Sequence, residues 1–224
     1  MKYLWKLILS LKEVFILMAL QYFILIIFFI LFGSNKALII GSILLIFLQV
    51  IYIVYKGRSI KFKFDYKSYI PLIMLGVGIS AVYNMITFGL GITNEVTSDI
   101  NILFNILCSG IMGPIFEEFL FRYDLTKRLS LFNNKNWVII LLSSIIFALC
   151  HTGITTIIYA FIVGLINSYI YMKDNDIIKP IIIHMSINTF VIFLTGYNLY
   201  VLILGILLII ISTFIIKVRK WLFI

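Results

Sequence analysis

Few groups able to do acid–base chemistry stand inside the apolar runs of this sequence, and they cluster. The stretch Phe116-Glu117-Glu118-Phe119-Leu120-Phe121-Arg122 carries two carboxylates and a guanidinium. His151 follows Phe147 by four residues, and Asn188 follows His184 by four. The chain's 2 histidines are both in these segments. A charge at the centre of a bilayer costs about 2.5–3.5 kcal/mol on insertion scales, so residues that persist there are candidates for function. On a helix, Glu118 and Arg122 are i and i+4 and can pair. Glu117 is turned about 100° away, and the residue four positions on is Phe121, not a cation. A carboxylate so placed can serve as a general base. Gly113-Pro114 lies just upstream. Proline lacks an N–H and clashes with the preceding turn, so a kink or restart is expected there, opening a water-accessible pocket at Glu117. His184 and Asn188 present two hydrogen-bonding side chains to one spot.

Blander roles exist for each residue. The Glu-Glu-Arg cluster could cap a helix at the membrane edge, with Arg122 snorkelling. His151 could be a core histidine, and His184-Asn188 could be interhelical glue. Their coincidence in one short region favours the chemical reading. Tyr159, Asn167, Ser168, Asn105 and Asn84 read as packing or glue. Cys108 and Cys150 sit in apolar runs and give neither a disulfide framework nor a CxxC pair. They read as small core residues.

The elements that must position these groups follow from composition. Hydrophobic residues make up 63% of the 224-residue chain and charged residues 12%, against about 25% charged in a soluble domain. Mean hydropathy is +1.16. Too little polar residue is present to cover a water-facing surface, which excludes a soluble, disordered or nucleic-acid-binding protein. The expected fold is an all-α, polytopic helical bundle in the membrane, forming a single domain over 1–224. With about 20 apolar residues per crossing, eight spans are expected at 14–32, 37–55, 69–91, 101–123, 137–153, 154–172, 180–196 and 199–216. The fifth and sixth share only 36 residues with a break at Thr152-Gly153, so one of them is expected to be short or tilted. No cleavable signal peptide is expected, because the first apolar run passes Phe32 without a processing site.

The +9 net charge is explained by topology. Sixteen of the 18 basic residues fall before the first span or after the second, fourth, sixth and eighth. The opposite side has Lys36, with Glu95 and Asp99, and Arg122 lies within a span. The positive-inside rule then puts both termini in the cytoplasm. Low Ala with high Ile, Lys, Asn and Phe points to a bacterial plasma membrane. Depth gives an independent check. If the fourth and fifth spans form a hairpin at Phe132-Asn133-Asn134-Lys135, Glu117 lies 17 residues before Asn134 and His151 lies 17 after it. His184 is five residues past Lys179, roughly 8 Å in, and Glu117 is five before Arg122. All three are expected at one level near the cytoplasmic face.

Glu117-Glu118-x-x-x-Arg122, Phe147-x-x-x-His151 and His184-x-x-x-Asn188, in that order on apolar segments, resemble the CAAX-protease and bacteriocin-processing (Abi) family of intramembrane proteases, to which the eukaryotic Ras-converting CAAX endopeptidase belongs. The resemblance covers about 100–195; the first hundred residues carry no family mark. It implies an endopeptidase in which Glu117 activates water with His151, His184 and Asn188 hold the oxyanion, and Glu118, Arg122 and Phe147 support the site. The family is read either as a glutamate protease needing no cofactor or as a metalloprotease. In the latter case Glu117, His151 and His184 would hold Zn²⁺, although no HExxH motif is present. The implied partners are the bilayer and a membrane-associated peptide or protein substrate, such as a prenylated CAAX tail, a leader peptide or a bacteriocin. The alternatives are a catalytically silent scaffold or bacteriocin self-immunity protein of the same fold. A proton-coupled carrier is disfavoured by the absence of a repeat.

The orientation has a direct test. Single cysteines placed at Ser59 and Ser98 should react differently with a membrane-impermeant thiol reagent applied to intact cells: position 98 labels and position 59 does not. Labelling at 59 reverses the topology.

Overall fold

The computed structural model describes residues 2–60, 62, 65–92, 101–133, 135–194 and 196–222. Asn134, Glu95, Ser98, Asp99, Lys61 and Lys63 lie outside the described residues, as do the side chains of Lys2, Lys6, Lys36, Ser59, Arg219 and Lys220. Apart from one short 3₁₀ turn at Gly57–Ser59, the secondary structure of these residues is long-helical. Lipid offers no hydrogen bonds to a backbone, so each apolar run must satisfy its own N–H and C=O groups, and a helix does this within one segment. The helices are α1 (Lys2–Phe32), α2 (Ser34–Lys56), α3 (Tyr66–Gly89), α4 (102–132), α5 (Asn136–Leu149), α6 (Ile154–Asp174), α7 (Ile178–Val191) and α8 (Leu199–Leu222). The chain is a polytopic helical membrane protein.

Among the described residues six helical stretches are long and apolar enough to cross a bilayer: Leu11–Phe32, Ile39–Lys56, Tyr66–Gly89, Ile102–Leu131, Ile154–Asp174 and Leu199–Val218. The expected fifth and seventh spans are shorter than a crossing. Helices α5 and α7 have 14 residues each, about 21 Å of rise against about 30 Å of hydrocarbon. Helix α5 stops because the chain turns at Cys150 and His151, and Gly153 (φ 82°) sets the direction into α6. The other connections use the residues such turns favour. Gly33 (φ 72°) separates α1 from α2, and Asn175 (φ 48°) ends α6 in the left-handed region. Asn198 caps α8 by accepting from the N–H of Tyr200 (2.9 Å).

The chain folds as two compact units, each assembled from two stretches of sequence. One comprises 1–61 and 116–177, and the other 62–115 and 178–224. Helix α4 contributes to both, the division falling at Phe116.

In the first unit, Val14, Phe116, Leu120, Phe121, Leu125, Ile139 and Phe147 form the apolar centre. An ion network ties α1, α2 and α4 together. Lys56 Nζ reaches Glu13 Oε2 (2.8 Å) and Asp124 Oδ1 (3.5 Å). Arg128 pairs with Glu13 and, through Nε, with Asp124 (2.9 Å). Tyr52 Oη donates to Asp124 Oδ2 (3.1 Å). The outward faces of α1 and α2 are exposed apolar residues such as Phe23, Phe29, Ile30 and Phe47.

In the second unit, small residues set the spacing. A Cβ on Gly76 of α3 would lie 2.5 Å from the Ile183 carbonyl oxygen and 2.7 Å from Ser186 Cβ on α7. A Cβ on Gly78 would lie 2.8 Å from the Gly205 oxygen on α8. Close approach of backbones through small residues is the main source of helix association where lipid removes the hydrophobic drive. Gly76→Val should therefore force α3 from α7 and lower thermal stability in detergent, by about 1–3 kcal/mol for an overpacked contact. Gly196→Ala, where an added Cβ meets nothing within 4 Å, serves as the control. Equal melting of the two variants and wild type would show that this contact does not hold the unit.

Candidate active site

The first unit holds Glu117, Glu118, Arg122, Phe147 and His151. The Glu118 carboxylate and the Arg122 guanidinium are fully buried, with Arg122 Nε 3.1 Å from Glu118 Oε2. The expected i, i+4 pairing is thus present. The other Glu118 oxygen accepts from Asn167 Nδ2 on α6 at 3.1 Å. The guanidinium lies over the Phe147 ring, 4.3 Å from its centroid, an arrangement that offsets part of its desolvation. Phe147 in turn packs edge-on against the His151 ring (4.8 Å) and against Phe121 (5.1 Å). Its carbonyl oxygen is 2.9 Å from His151 Nδ1. With Nδ1 donating there, Nε2 carries the lone pair and is the basic nitrogen. The two motifs of α4 and α5 are therefore one stack, running Asn167–Glu118–Arg122–Phe147–His151.

His151 is not on the fifth helix, where the sequence spacing put it. It sits in the turn after Leu149, held by its own N–H to the Ala148 carbonyl (3.0 Å) as well as by Nδ1. Glu117 is half-buried and lies within electrostatic reach of Arg122 and of Cys150, the residue beside His151.

In the second unit, the irregularity beside Pro114 takes the form of a π-helical segment at Ile106–Met112, after which α-helix runs on from Gly113. The Gly113 N–H bonds to the Cys108 carbonyl, five residues back. Pro114 brings no N–H to the carbonyls of Ser109 and Gly110, five and four positions earlier. Helix α7 supplies the missing donors: Asn188 Nδ2 to Ser109 O (3.1 Å) and Thr189 Oγ1 to Gly110 O (3.3 Å). Only glycine allows this approach, because a Cβ at Gly110 would stand 2.8 Å from Thr189 Oγ1. His184, one turn before Asn188 on α7, is buried.

A second π-helical segment, Phe119–Leu125, contains Arg122. Its carbonyls are also met by side chains. Ser143 Oγ on α5 donates to Phe121 O (3.2 Å), and Thr126 Oγ1 donates to Arg122 O. Such segments are frequent at functional sites.

Sequence reasoning gave Asn167 and Ser168 only packing or glue roles and did not single out Ser143. Asn167 is the second ligand of Glu118, and Ser143 and Ser168 meet at 3.2 Å. Their signal is two adjacent small polar residues on an apolar helix, which identifies a contact but not its partner. Within either unit, no three His, Cys, Asp or Glu side chains among the described residues converge as metal ligands. The first unit offers Glu117 and His151, and a catalytic zinc takes three protein ligands; these residues alone do not fit the ion.

Comparison with known proteins finds similarity over the stretch that carries these residues. Residues 99–190 match the family described as type II CAAX prenyl endopeptidase Rce1-like. The chain is 30% identical over 121 residues to "Putative membrane peptidase YdiL" of Bacillus subtilis, covering 51% of this chain and 49% of that protein. It is 38% identical over 90 residues to "UPF0177 protein YxdF" of Lactococcus lactis, covering 38% of this chain and 49% of that one. The chain spans about half the length of these curated relatives. No solved structure matches it. A multi-pass helical membrane protein with a buried Glu–Arg pair is the class that fold and site define. Over 99–190 the chain is similar to the type II CAAX prenyl endopeptidase Rce1-like family.

The stack predicts unequal effects of its members on folding. Arg122→Ala leaves the Glu118 carboxylate buried without its cation, at a cost of about 3–5 kcal/mol, and should sharply reduce the folded yield in membranes. Glu118→Gln combined with Arg122→Met removes both charges and should restore much of it. If the double variant is as poorly folded as Arg122→Ala, the pair is not the origin of the effect.

Proposed function

We propose that the protein is an intramembrane endopeptidase that hydrolyses a peptide bond of a membrane-associated peptide or protein, with Glu117 as the general base. The single observation that carries the reading is the division of labour between adjacent carboxylates. Glu118 is held by Arg122 and Asn167, so it is committed to structure. Glu117 stands next to it, near the turn that carries His151. In this proposal Glu117 takes a proton from water, and the resulting hydroxide attacks the substrate carbonyl carbon. His151 Nε2 shares that proton and returns it to the leaving amine nitrogen as the C–N bond breaks. His184 and Asn188 donate to the carbonyl oxygen as it becomes an oxyanion. Asn188 has two amide protons, and its bond to Ser109 uses one. No step requires a metal. Both termini are assigned to the cytoplasm and the enzyme to the bacterial plasma membrane. The peptidase reading is supported by the name of the Bacillus relative and by the matched family.

The test compares the N-terminal peptides of membrane proteins from cells expressing wild type and Glu117→Gln. Peptides present with wild type should be lost in the variant, with cleavage of any one of them falling about 10²–10⁴-fold, as for removal of a general base. Glu117→Gln should be expressed like wild type. Identical peptide sets from the two strains would overturn the protease reading in favour of a silent scaffold.

A further inference from the structure

At one end of the first unit, tyrosine rings carry cations. Lys56 Nζ lies 5.9 Å from the Tyr52 ring centroid at the end of α2, and in the turn that follows the Arg58 guanidinium lies 5.7 Å from that of Tyr55. On α4, Lys127 Nζ lies 5.6 Å from the Tyr123 centroid, and on α6 Lys173 Nζ lies 5.0 Å from that of Tyr169. In each couple the cation follows the ring by three or four residues, so one helical turn brings them together. The couples share a level. Lys56 reaches Asp124, the neighbour of Tyr123 in the chain, at 3.5 Å. A Cβ on Gly57, beside Arg58, would lie 3.2 Å from the Phe119 ring, whose centroid is 6.0 Å from that of Tyr123. Tyr171 of α6 is within electrostatic reach of Tyr123. Three helices of the unit thus bring a ring and a cation to one layer.

Two of these cations keep their charge. Lys56 is neutralised by Glu13 and Asp124. Arg58 and Lys127 are exposed, and neither forms an ion pair with a carboxylate of the described residues. A carboxylate partner would cancel the charge; a neutral ring localises it and leaves it available. Tyr55, 64% exposed, is an amphipathic ring of the kind that settles at headgroup depth, and its hydroxyl can donate a hydrogen bond. The lipid group of opposite charge at that depth is the phosphodiester. A zwitterionic lipid brings its own ammonium to such a site, whereas an anionic lipid brings none, so the charge favours the anionic one.

We propose that Arg58 with Tyr55, and Lys127 with Tyr123, are seats for the phosphodiester of an anionic phospholipid in the leaflet at this end of the first unit. The assignment is independent of the protease reading, and its test reads lipid binding alone. The full chain in detergent micelles is titrated with phosphatidylglycerol or with phosphatidylethanolamine of the same acyl chains, and bound lipids are counted by native mass spectrometry. Wild type should bind phosphatidylglycerol about fivefold more tightly, the worth of one cation near the headgroups. The double variant Arg58→Gln, Lys127→Gln should lose that preference and bind the two lipids alike. The control is Lys12→Gln, Lys135→Gln, which removes two exposed lysines that lie over no tyrosine ring among the described residues; it should keep most of the preference. Tyr55→Leu leaves every charge in place and should lower phosphatidylglycerol affinity about twofold, as loss of an exposed cation–ring contact does. All these side chains are exposed or half-buried, so circular dichroism should match wild type in each variant. No preference for phosphatidylglycerol in wild type, an equal loss in the two double variants, or unchanged affinity in Tyr55→Leu overturns the seats.

Discussion

A carboxylate and a guanidinium removed from water inside a membrane helix constrain much of the first unit. Glu118 and Arg122 are both fully buried. The desolvation of two charges is compensated only when geometry and further hydrogen bonds are good. The first unit is arranged to provide them. Helix α6 brings Asn167 to the second carboxylate oxygen. Helix α5 brings the face of Phe147 beneath the guanidinium. Because Phe147 also accepts from His151 through its carbonyl, the position of the histidine is tied to the ion pair. The spacing of the Phe and His residues thus has a physical meaning: the ring serves the arginine and the carbonyl one turn earlier serves the imidazole.

Helix α4 is unusual in containing two π-helical segments separated by six residues, Gly113–Glu118. Each leaves backbone carbonyls needing donors, and each is answered by short polar side chains. Asn188 and Thr189 answer Ser109 and Gly110; Ser143 and Thr126 answer Phe121 and Arg122. In hydrocarbon a carbonyl without a donor is costly. The donor set therefore selects where α5 and α7 lie against α4 within their own units. Glu117 and Glu118 occupy the short α-helical stretch between the two irregular ones. This arrangement lets adjacent carboxylates have different surroundings on one helix.

Where α1, α2 and α4 meet, the chain uses a different device. Glu13, Lys56, Asp124 and Arg128 make a compact two-acid, two-base network with Tyr52. Together with the Tyr52–Phe116 ring contact, whose centroids are 5.6 Å apart, it attaches the first two helices to the segment that carries the glutamates. The N-terminal part of the chain carries no family motif, yet it forms one wall beside Phe116.

Much of this was legible in the sequence. The apolar runs specified membrane helices, since a backbone in lipid has few other ways to satisfy itself. The i, i+4 spacing specified the Glu118–Arg122 pair, because helical geometry is local. Thr152-Gly153 marked a break, and Gly153 (φ 82°) stands at the turn into α6. That one of the fifth and sixth spans is short was legible from the 36 residues they share, but the length of α7 was not, because apolar composition continues past the residue where that helix stops. Nor was the position of His151 in a turn, which depends on the Phe147 carbonyl rather than on periodicity. Asn167 could be recognised as polar but not matched to Glu118, 49 residues away. Pro114 announced an irregularity, but which form it took depended on donors from α7. The sequence by itself determined what is decided within one or two helical turns: element type, local pairing and the identity of the reactive groups. The tertiary structure decided which distant side chain meets each buried charge and each exposed carbonyl, because those partners are chosen by packing between helices, to which no spacing along the chain corresponds.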